Sequence, residues 1–208
     1  MSRATKRTIL QLYKNKKLGI PSAGVTAYDY PTARIVNNSS ADFIVVGDTV
    51  GPTTHGIQNL NEVDMHMMLA HCKAVKRGNT AQFLVGDMPY MSYHLSNEDA
   101  IRNAGSFIQA GMDAVKLEGF FPERIKAIAD SGTLLMGHLG LTPQTQAKMG
   151  GYKVQAKTGE EIDKLLYQAK TVQENGASLL LLEAVPAEVA AKVRDELRIP
   201  VFGTGAGP

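Results

Sequence analysis

Cysteine, excess charge of one sign and long apolar runs are all scarce in this chain of 208 residues. Cys72 is the only cysteine, which excludes an internal disulfide and predicts a reducing compartment, the cytoplasm. The 22 basic and 20 acidic residues nearly cancel, so nothing predicts binding to nucleic acid or to an anionic membrane. No apolar stretch approaches the roughly 20 residues that cross a bilayer. The basic N-terminus is not followed by the apolar segment of a secretory signal.

Short apolar runs alternate with helical patterns along the whole sequence. Seven runs predict strands, at 24–28, 43–47, 82–86, 114–118, 134–137, 178–183 and 200–203. An amphipathic helix is predicted near residues 9–13, and further helices at 32–38, 61–77, 97–109, 123–130, 160–175 and 187–196. This strict alternation predicts an α/β fold with a parallel sheet and right-handed crossovers, as one domain over residues 1–208.

Glycine is missing from the first strand–helix turn, at residues 27–32. An open doubly wound sheet that binds nucleotides would carry a glycine-rich fingerprint there. Candidate binding and catalytic residues are instead spread over strands two to six, which favours a (β/α)8 TIM barrel. The chain ends at Pro208, just after the seventh strand, so the predicted barrel lacks its eighth βα unit. Either the sequence is a fragment of a longer product or the barrel closes in an unusual way.

Four apolar runs each lead to an acidic residue, namely Asp48, Asp87, Glu118 and Glu183. The runs do not alternate, which is typical of strands buried on both faces of a parallel sheet. Because chemistry in such folds gathers at the carboxyl ends of the strands, we expect the four carboxylates to converge. They would repel one another without a cation or shared protons, and carboxylate oxygens suit Mg²⁺. The sequence therefore predicts a magnesium site.

The first two acids follow glycines in similar segments, Val-Val-Gly-Asp48 and Leu-Val-Gly-Asp87. A glycine there would let a ligand or a neighbouring backbone approach closely. The alternative is that each acid caps the next helix or loop. Thr49 has a hydroxyl that can bind an anion, or it belongs to an ordinary turn.

Three charged or titratable residues follow in the next strands. Lys116 and Glu118 are two apart on a predicted strand, so both side chains share one face, as a functional pair or as a structural ion pair. His138 lies after strand five with glycines nearby, which predicts a crowded turn that faces a ligand; a structural histidine is the alternative. The remaining histidines lack such a setting and are predicted to be surface or packing residues, namely His55, His66, His71 and His94.

Glu183 ends the longest apolar run, Leu179 to Leu182. A carboxyl group at the end of a strand shielded from water would have a raised pKa, which suits a general base or acid. Binding a backbone amide of the next loop is the structural alternative.

Taken together, the ordered motifs resemble the ketopantoate hydroxymethyltransferase family over nearly the whole chain. The matching segments include Thr-Ala-Tyr-Asp-Tyr at 26–30, Val-Gly-Asp-Thr at 46–49, Asp-Met-Pro-Tyr-Met at 87–91, Val-Lys-Leu-Glu-Gly at 115–119, Gly-His-Leu-Gly-Leu-Thr-Pro-Gln at 137–144 and Leu-Glu-Ala-Val-Pro at 182–186. The resemblance implies a barrel of the phosphoenolpyruvate mutase/isocitrate lyase type. It also implies transfer of a hydroxymethyl group from 5,10-methylenetetrahydrofolate to 3-methyl-2-oxobutanoate, in pantothenate and coenzyme A biosynthesis.

The same resemblance implies roles for individual residues. Asp48 and Asp87 would hold Mg²⁺, with Glu118 in direct or water-bridged contact. The keto acid would be bound by Asp48, Thr49, Asp87, Lys116 and His138. Glu183 would be the general base that removes the C3 proton. A homo-oligomer, a decamer in the family, is also implied.

Two other functions remain open from the sequence. One is a related Mg²⁺-dependent lyase or mutase that acts on another α-keto acid. The other is an inactive homologue that serves as a binding or assembly subunit.

Overall fold

The structure is a computed structural model that describes residues 5–207, so the ends of the predicted domain, residues 1–4 and 208, lie outside it. Within the described part the strands are β1 Gly24–Thr26, β2 Phe43–Val46, β3 Phe83–Asp87, β4 Ala114–Glu118, β5 Leu134–Gly140, β6 Leu179–Glu183 and β7 Val201–Thr204. The helices are α1 Ile9–Leu18, α2 Tyr30–Asn37, α3 Met65–Gly78, α4 Asn97–Gln109, α5 Pro122–Asp130, α6 Gln146–Met149, α7 Gly159–Glu174 and α8 Ala187–Glu196. Every predicted strand and helix is therefore present; β4, α4 and α8 have the predicted boundaries, and the boundaries of the others are shifted.

The seven strands follow one another in the sheet in chain order, from β1 to β7. The β2–β3 pair is parallel, with Phe43 opposite Phe83, and the β5–β6 pair is parallel, with Gly140 opposite Glu183. A doubly wound sheet would reverse its strand order at a switch point. The uninterrupted order is that of a barrel and confirms the prediction made from the missing glycine fingerprint.

Burial differs between the inner and outer strands. All five residues of β3 and all five of β4 are buried, and β2 has a single half-buried position. These are the runs without alternation, so the prediction of strands covered on both faces is confirmed for them. The residues of β1 are exposed, and those of β7 are half-buried or exposed.

The chain divides into two compact units, residues 1–115 and 116–208. In the first unit α2 packs on α3, and α3 packs on β2, β3 and α4, where Ile44, Leu84 and Phe107 are fully buried. In the second unit α5 and α7 pack on β5, with Ile125 and Leu135 fully buried. The single domain over residues 1–208 stays a prediction. No helix within residues 5–207 is both long enough and apolar enough to span a membrane.

Side chains at the helix ends explain several boundaries. Ser96 caps α4, because its hydroxyl accepts a hydrogen bond from the Asp99 N–H at 3.0 Å. Helix α3 begins at Met65 rather than at 61 because Asp64 caps it, accepting from the Met67 N–H at 2.8 Å. A complete capping box, formed by Thr158 and Glu161, starts α7.

Gly86 has a structural reason rather than the ligand-facing one expected from its place before Asp87. A Cβ atom added there would lie 2.4 Å from Cδ1 of Phe107 and 3.0 Å from Cγ of Met112. Gly86 is thus the position where α4 packs closely on β3, and the expectation that a ligand or a neighbouring backbone approaches closely was wrong for it, because side chains do so.

Gly86→Ala is expected to destabilise the protein by about 1–3 kcal/mol, because the added methyl group overpacks the contact with Phe107. Gly105→Ala is the matched control, since nothing lies within 4 Å of a Cβ there, inside α4. That change should stabilise the helix by about 0.5–1 kcal/mol. Urea unfolding of both variants measures the two effects. Equal stabilities would contradict the packing assignment.

Candidate active site

Two carboxylates meet at the carboxyl ends of β2 and β3. Asp48 lies in the turn that follows β2, and Asp87 is the last residue of β3. The strands are parallel neighbours, so both acids lie at the same edge. Both are buried, with 4% and 1% of their surfaces exposed, and the Asp48 N–H donates to Asp87 Oδ2 at 3.2 Å. The expected convergence of these two acids is confirmed.

The Thr49 hydroxyl lies beside this pair and is exposed. Its Oγ1 atom is 2.7 Å from the hydroxyl oxygen of Tyr28, which follows β1. A Cβ added to Gly47 would lie 3.0 Å from the same Oγ1 atom, so this glycine leaves room for the hydroxyl. Tyr28 is not among the predicted site residues. Its place in the segment 26–30 was the available signal.

In the second unit, Lys116 and Glu118 both contact His138. Lys116 Nζ is 3.3 Å from His138 Nδ1, and Glu118 Oε2 is 3.5 Å from the same nitrogen. These contacts confirm that Lys116 and Glu118 lie on one face of β4. All three residues are buried. The Gln144 N–H donates to Glu118 Oε1 at 2.7 Å and fixes that carboxylate.

His138 joins this group to Glu183, whose Oε2 atom is 3.2 Å from His138 Nε2. An ammonium group can only donate, so the Lys116 contact requires a lone pair on Nδ1. The neutral ring with a proton on Nε2 satisfies this contact, and Glu183 lies close to that nitrogen without the geometry of a hydrogen bond. His138 in this form links a buried cation to the carboxylate predicted to act as a base.

The predicted position of His138 in a turn was wrong. Strand β5 continues to Gly140, so His138 lies within the strand and is completely buried. Gly137 had been read as a sign of a turn, but a Cβ there would lie 2.7 Å from Cγ1 of Val172. The glycine is required by the packing of α7 against β5.

Glu183 is less enclosed than its apolar strand suggested, because 23% of its side chain is exposed. Its backbone is tightly held: the Glu183 carbonyl accepts from the Leu141 N–H at 2.8 Å, and Gly140, at φ 90°, passes so close that a Cβ would lie 2.3 Å from that carbonyl oxygen. The next residue, Ala184, has φ 48°, a left-handed conformation that is unusual without glycine.

The chemistry of the donor set decides whether the first unit suits a magnesium ion. Asp48 and Asp87 offer buried carboxylate oxygens at one sheet edge. Mg²⁺ is commonly held by one or two carboxylates, with water or substrate oxygens in its other positions. The pair therefore fits the ion. No group of three or more His, Cys, Asp or Glu side chains within residues 5–207 has the arrangement of a metal site.

The other histidines were predicted to be surface or packing residues. His94 stacks on Tyr93 at a centroid distance of 4.2 Å and accepts from the Met91 N–H, which agrees with packing. His66 is exposed. His55 and His71 instead contact each other, with 2.7 Å between their Nε2 atoms, and spacing in the sequence gave no sign of this.

Solved structures with the same fold define the class of protein. The chain superposes on 2,3-dimethylmalate lyase with a TM-score of 0.70 and 15% identity, over 96% of this chain and 74% of that one. A phosphonomutase-like protein from Burkholderia cenocepacia gives a TM-score of 0.73 and 17% identity, over 94% and 83%. The fold is therefore the TIM-barrel type of these proteins, the first of which is described as a phosphoenolpyruvate mutase/isocitrate lyase superfamily member, and residues 5–207 contain seven of its strands.

Sequence comparison assigns the family within this class. A profile of ketopantoate hydroxymethyltransferase matches residues 6–208. The 3-methyl-2-oxobutanoate hydroxymethyltransferase of Ignicoccus hospitalis is 45% identical over 210 residues, which cover all of this chain and 79% of that protein. The enzyme of the same name from Bacillus subtilis is 45% identical over 205 residues, 97% of this chain and 74% of that one. The chain belongs to the ketopantoate hydroxymethyltransferase family.

Proposed function

We propose that this protein transfers a hydroxymethyl group to 3-methyl-2-oxobutanoate and forms 2-dehydropantoate, a precursor of pantothenate and coenzyme A. The observation that carries the proposal is 45% identity to enzymes of that name along essentially the whole chain. The co-substrate is 5,10-methylenetetrahydrofolate. The lyase and mutase neighbours, at 15–17% identity, share the fold alone and bring no activity to this chain.

In this proposal Asp48 and Asp87 hold Mg²⁺, and Glu118 contacts the ion directly or through a water molecule. When bound, the ion supplies a Lewis acid that polarises the keto group of the substrate. Thr49 offers its exposed hydroxyl to the keto acid. Lys116 offsets the substrate's carboxylate charge, and the buried contact with Nδ1 of His138 holds its ammonium group in place.

Glu183 is the proposed general base. Its carboxylate accepts the proton from C3 of the keto acid, and the electron pair of the broken C–H bond forms the enolate. The enolate carbon and the oxygen of a water molecule both become bonded to the methylene carbon of the folate, and the two carbon–nitrogen bonds of that carbon break. The C3 proton and one proton of the water go to the two folate nitrogens, so tetrahydrofolate leaves and the hydroxyl group stays on the product. The contact at 3.2 Å between His138 Nε2 and Glu183 Oε2 restricts the orientation of the carboxylate. Its partial exposure leaves a face open to substrate.

The test is formation of 2-dehydropantoate by the purified protein, followed by mass spectrometry. The product should depend on both 5,10-methylenetetrahydrofolate and Mg²⁺. Exchange of the C3 proton into D2O without folate, with no 2-dehydropantoate when folate is added, would indicate a different α-keto-acid enzyme. A protein with neither activity nor keto-acid binding would be an inactive homologue, and either result would overturn the proposal.

Lys116→Ala is expected to weaken the affinity for 3-methyl-2-oxobutanoate by roughly thirtyfold or more, because losing one partner of a buried charge contact costs about 2 kcal/mol or more. Calorimetric titration in the presence of Mg²⁺ measures the change. Lys126→Ala is the control, since Lys126 pairs with Asp130 on the surface of α5. Unchanged affinity in Lys116→Ala would remove its proposed role.

We also propose that the protein works as a homo-oligomer in the cytoplasm, a decamer as in the family. Several large apolar side chains are more than half exposed in the single chain, including Leu10, Ile35 and Tyr167. Such surface favours burial against another copy. Light scattering during size-exclusion chromatography measures the mass, and a stable monomer would contradict this proposal.

A further inference from the structure

Two histidines outside the proposed catalytic groups form a close pair in the first unit. His55 ends the short π-helical segment Gly51–His55, and His71 lies in α3. Their Nε2 atoms are 2.7 Å apart, and their rings meet at 81° with centroids 5.0 Å apart. His55 is exposed and His71 is half-buried, so solvent ions can reach the pair.

The protonation of His71 follows from its other nitrogen. His71 Nδ1 lies 2.5 Å from the carbonyl oxygen of Tyr28, an atom that can only accept a hydrogen bond. Nδ1 therefore carries a proton, and in the neutral ring the lone pair is on Nε2, directed at His55. Histidines that bind metals are commonly oriented in this way, by donating the other N–H to a backbone carbonyl or a carboxylate.

The distance between the two nitrogens is close to what a shared metal ion requires. Two Zn–N bonds of about 2.0–2.1 Å at a tetrahedral angle place their nitrogens about 3.4 Å apart. The pair would have to open by less than about 1 Å, and His55 lies in an exposed segment. In the absence of an ion, the same geometry is satisfied by a hydrogen bond from His55 Nε2–H to His71 Nε2.

The surroundings decide which ions fit. Imidazole nitrogens favour Zn²⁺, Co²⁺, Ni²⁺ and Cu²⁺ over Mg²⁺. The nearby Asp29 carboxylate adds negative charge: its pKa is lowered, mainly by hydrogen bonds from Thr32 and to a smaller extent by His71. Cys72 is not a ligand, because its thiol is completely buried and burial raises its pKa.

We propose that His55 and His71 form a binding site for a divalent transition metal ion, with water completing the coordination. The site is separate from the proposed magnesium ligands, Asp48 and Asp87. Tyr28 nevertheless links the two sites: its carbonyl oxygen contacts His71, and its hydroxyl contacts Thr49, the neighbour of Asp48. An ion here would join the π-helical segment Gly51–His55 to α3, at the histidine that contacts Tyr28.

The test is a Co²⁺ titration of protein freed of metals by a chelator, carried out in excess Mg²⁺ and followed by visible absorption. Wild type should show one saturable site with absorption bands of nitrogen-coordinated Co²⁺. His55→Ala and His71→Ala should each weaken binding roughly tenfold or more. His66→Ala is the matched control, an exposed histidine on the same helix, and should bind as wild type does. Asp87→Asn should also bind normally, because its carboxylate belongs to the other site.

Two results would overturn the inference. One is wild-type affinity in both His55→Ala and His71→Ala, and the other is loss of the Co²⁺ bands in Asp87→Asn, which would assign the ion to the carboxylates. Thermal unfolding without metal checks that each variant is folded. If His71→Ala unfolds because it loses its bond to Tyr28, the exposed His55→Ala still decides the question. Failure of the hydroxymethyl transfer leaves this test unaffected, since no substrate is present.

Discussion

Asp87→Asn is expected to reduce the magnesium-supported affinity for 3-methyl-2-oxobutanoate by roughly a hundredfold or more. The substitution removes one of two buried carboxylate charges. It keeps an oxygen that can accept a hydrogen bond from the Asp48 N–H, whose nitrogen is 3.2 Å from Asp87 Oδ2 in the wild type. Disturbing residues that merely orient a metal ligand already costs about 10–100-fold in affinity, so loss of a proposed ligand should cost at least that much. Calorimetric titration with and without MgCl2 measures the difference.

Asp113→Asn is the matched control for that experiment. Its carboxylate also accepts a backbone N–H, from Leu84 at 2.8 Å, and pairs with Lys6. Its role is structural, so the variant should bind the keto acid as wild type does, although its stability should fall slightly. If Asp87→Asn retained full binding that depends on Mg²⁺, Asp87 would not be a metal ligand.

Glu183→Gln is expected to slow the exchange of the C3 proton of 3-methyl-2-oxobutanoate into D2O by about 10²–10⁴-fold. The amide cannot take up the proton at neutral pH, whereas glutamine keeps the size and shape of the glutamate side chain beside His138. Substrate affinity should therefore change little. Proton NMR follows the reaction directly, since the doublet of the two methyl groups becomes a singlet as deuterium enters C3.

Glu188→Gln gives a control for this second experiment. Glu188 is in the first turn of α8, five residues after Glu183, and should exchange the proton at the wild-type rate. Normal exchange in Glu183→Gln would show that another group is the base. Loss of both exchange and binding would instead indicate a binding role for Glu183.

The inner strands could be predicted because their physical cause is local. The runs before Asp48 and Asp87 do not alternate, and in the structure nearly all of their residues are buried. The parallel order then brings these two carboxylates to one edge of the sheet, so their proximity followed from strand ends alone. The placement of Lys116 and Glu118 on one face followed likewise from the two-residue period of a strand.

The errors lie where distant contacts decide local structure. Gly137 was predicted to belong to a turn, but it leaves room for the Val172 side chain of α7. Gly86 was predicted to allow close approach next to Asp87, but it leaves room for the Phe107 side chain of α4. Because those partners are over 20 residues away, nothing in the local pattern revealed them. The His55–His71 contact is similar, since it depends on the π-helical segment, for which the sequence carries no recognised signal.

Ala184 constrains how the proposed base can move. Its left-handed φ of 48° is maintained by two hydrogen bonds, from its own N–H to the Thr204 carbonyl at 2.9 Å and from the Gln155 N–H to its carbonyl at 2.8 Å. Such a conformation persists only where the surroundings impose it. Alanine has fewer allowed combinations of φ and ψ than glycine, so the backbone at this position changes conformation less easily. Reorientation of the Glu183 carboxylate during turnover must then come from its side-chain torsions, above a stationary main chain.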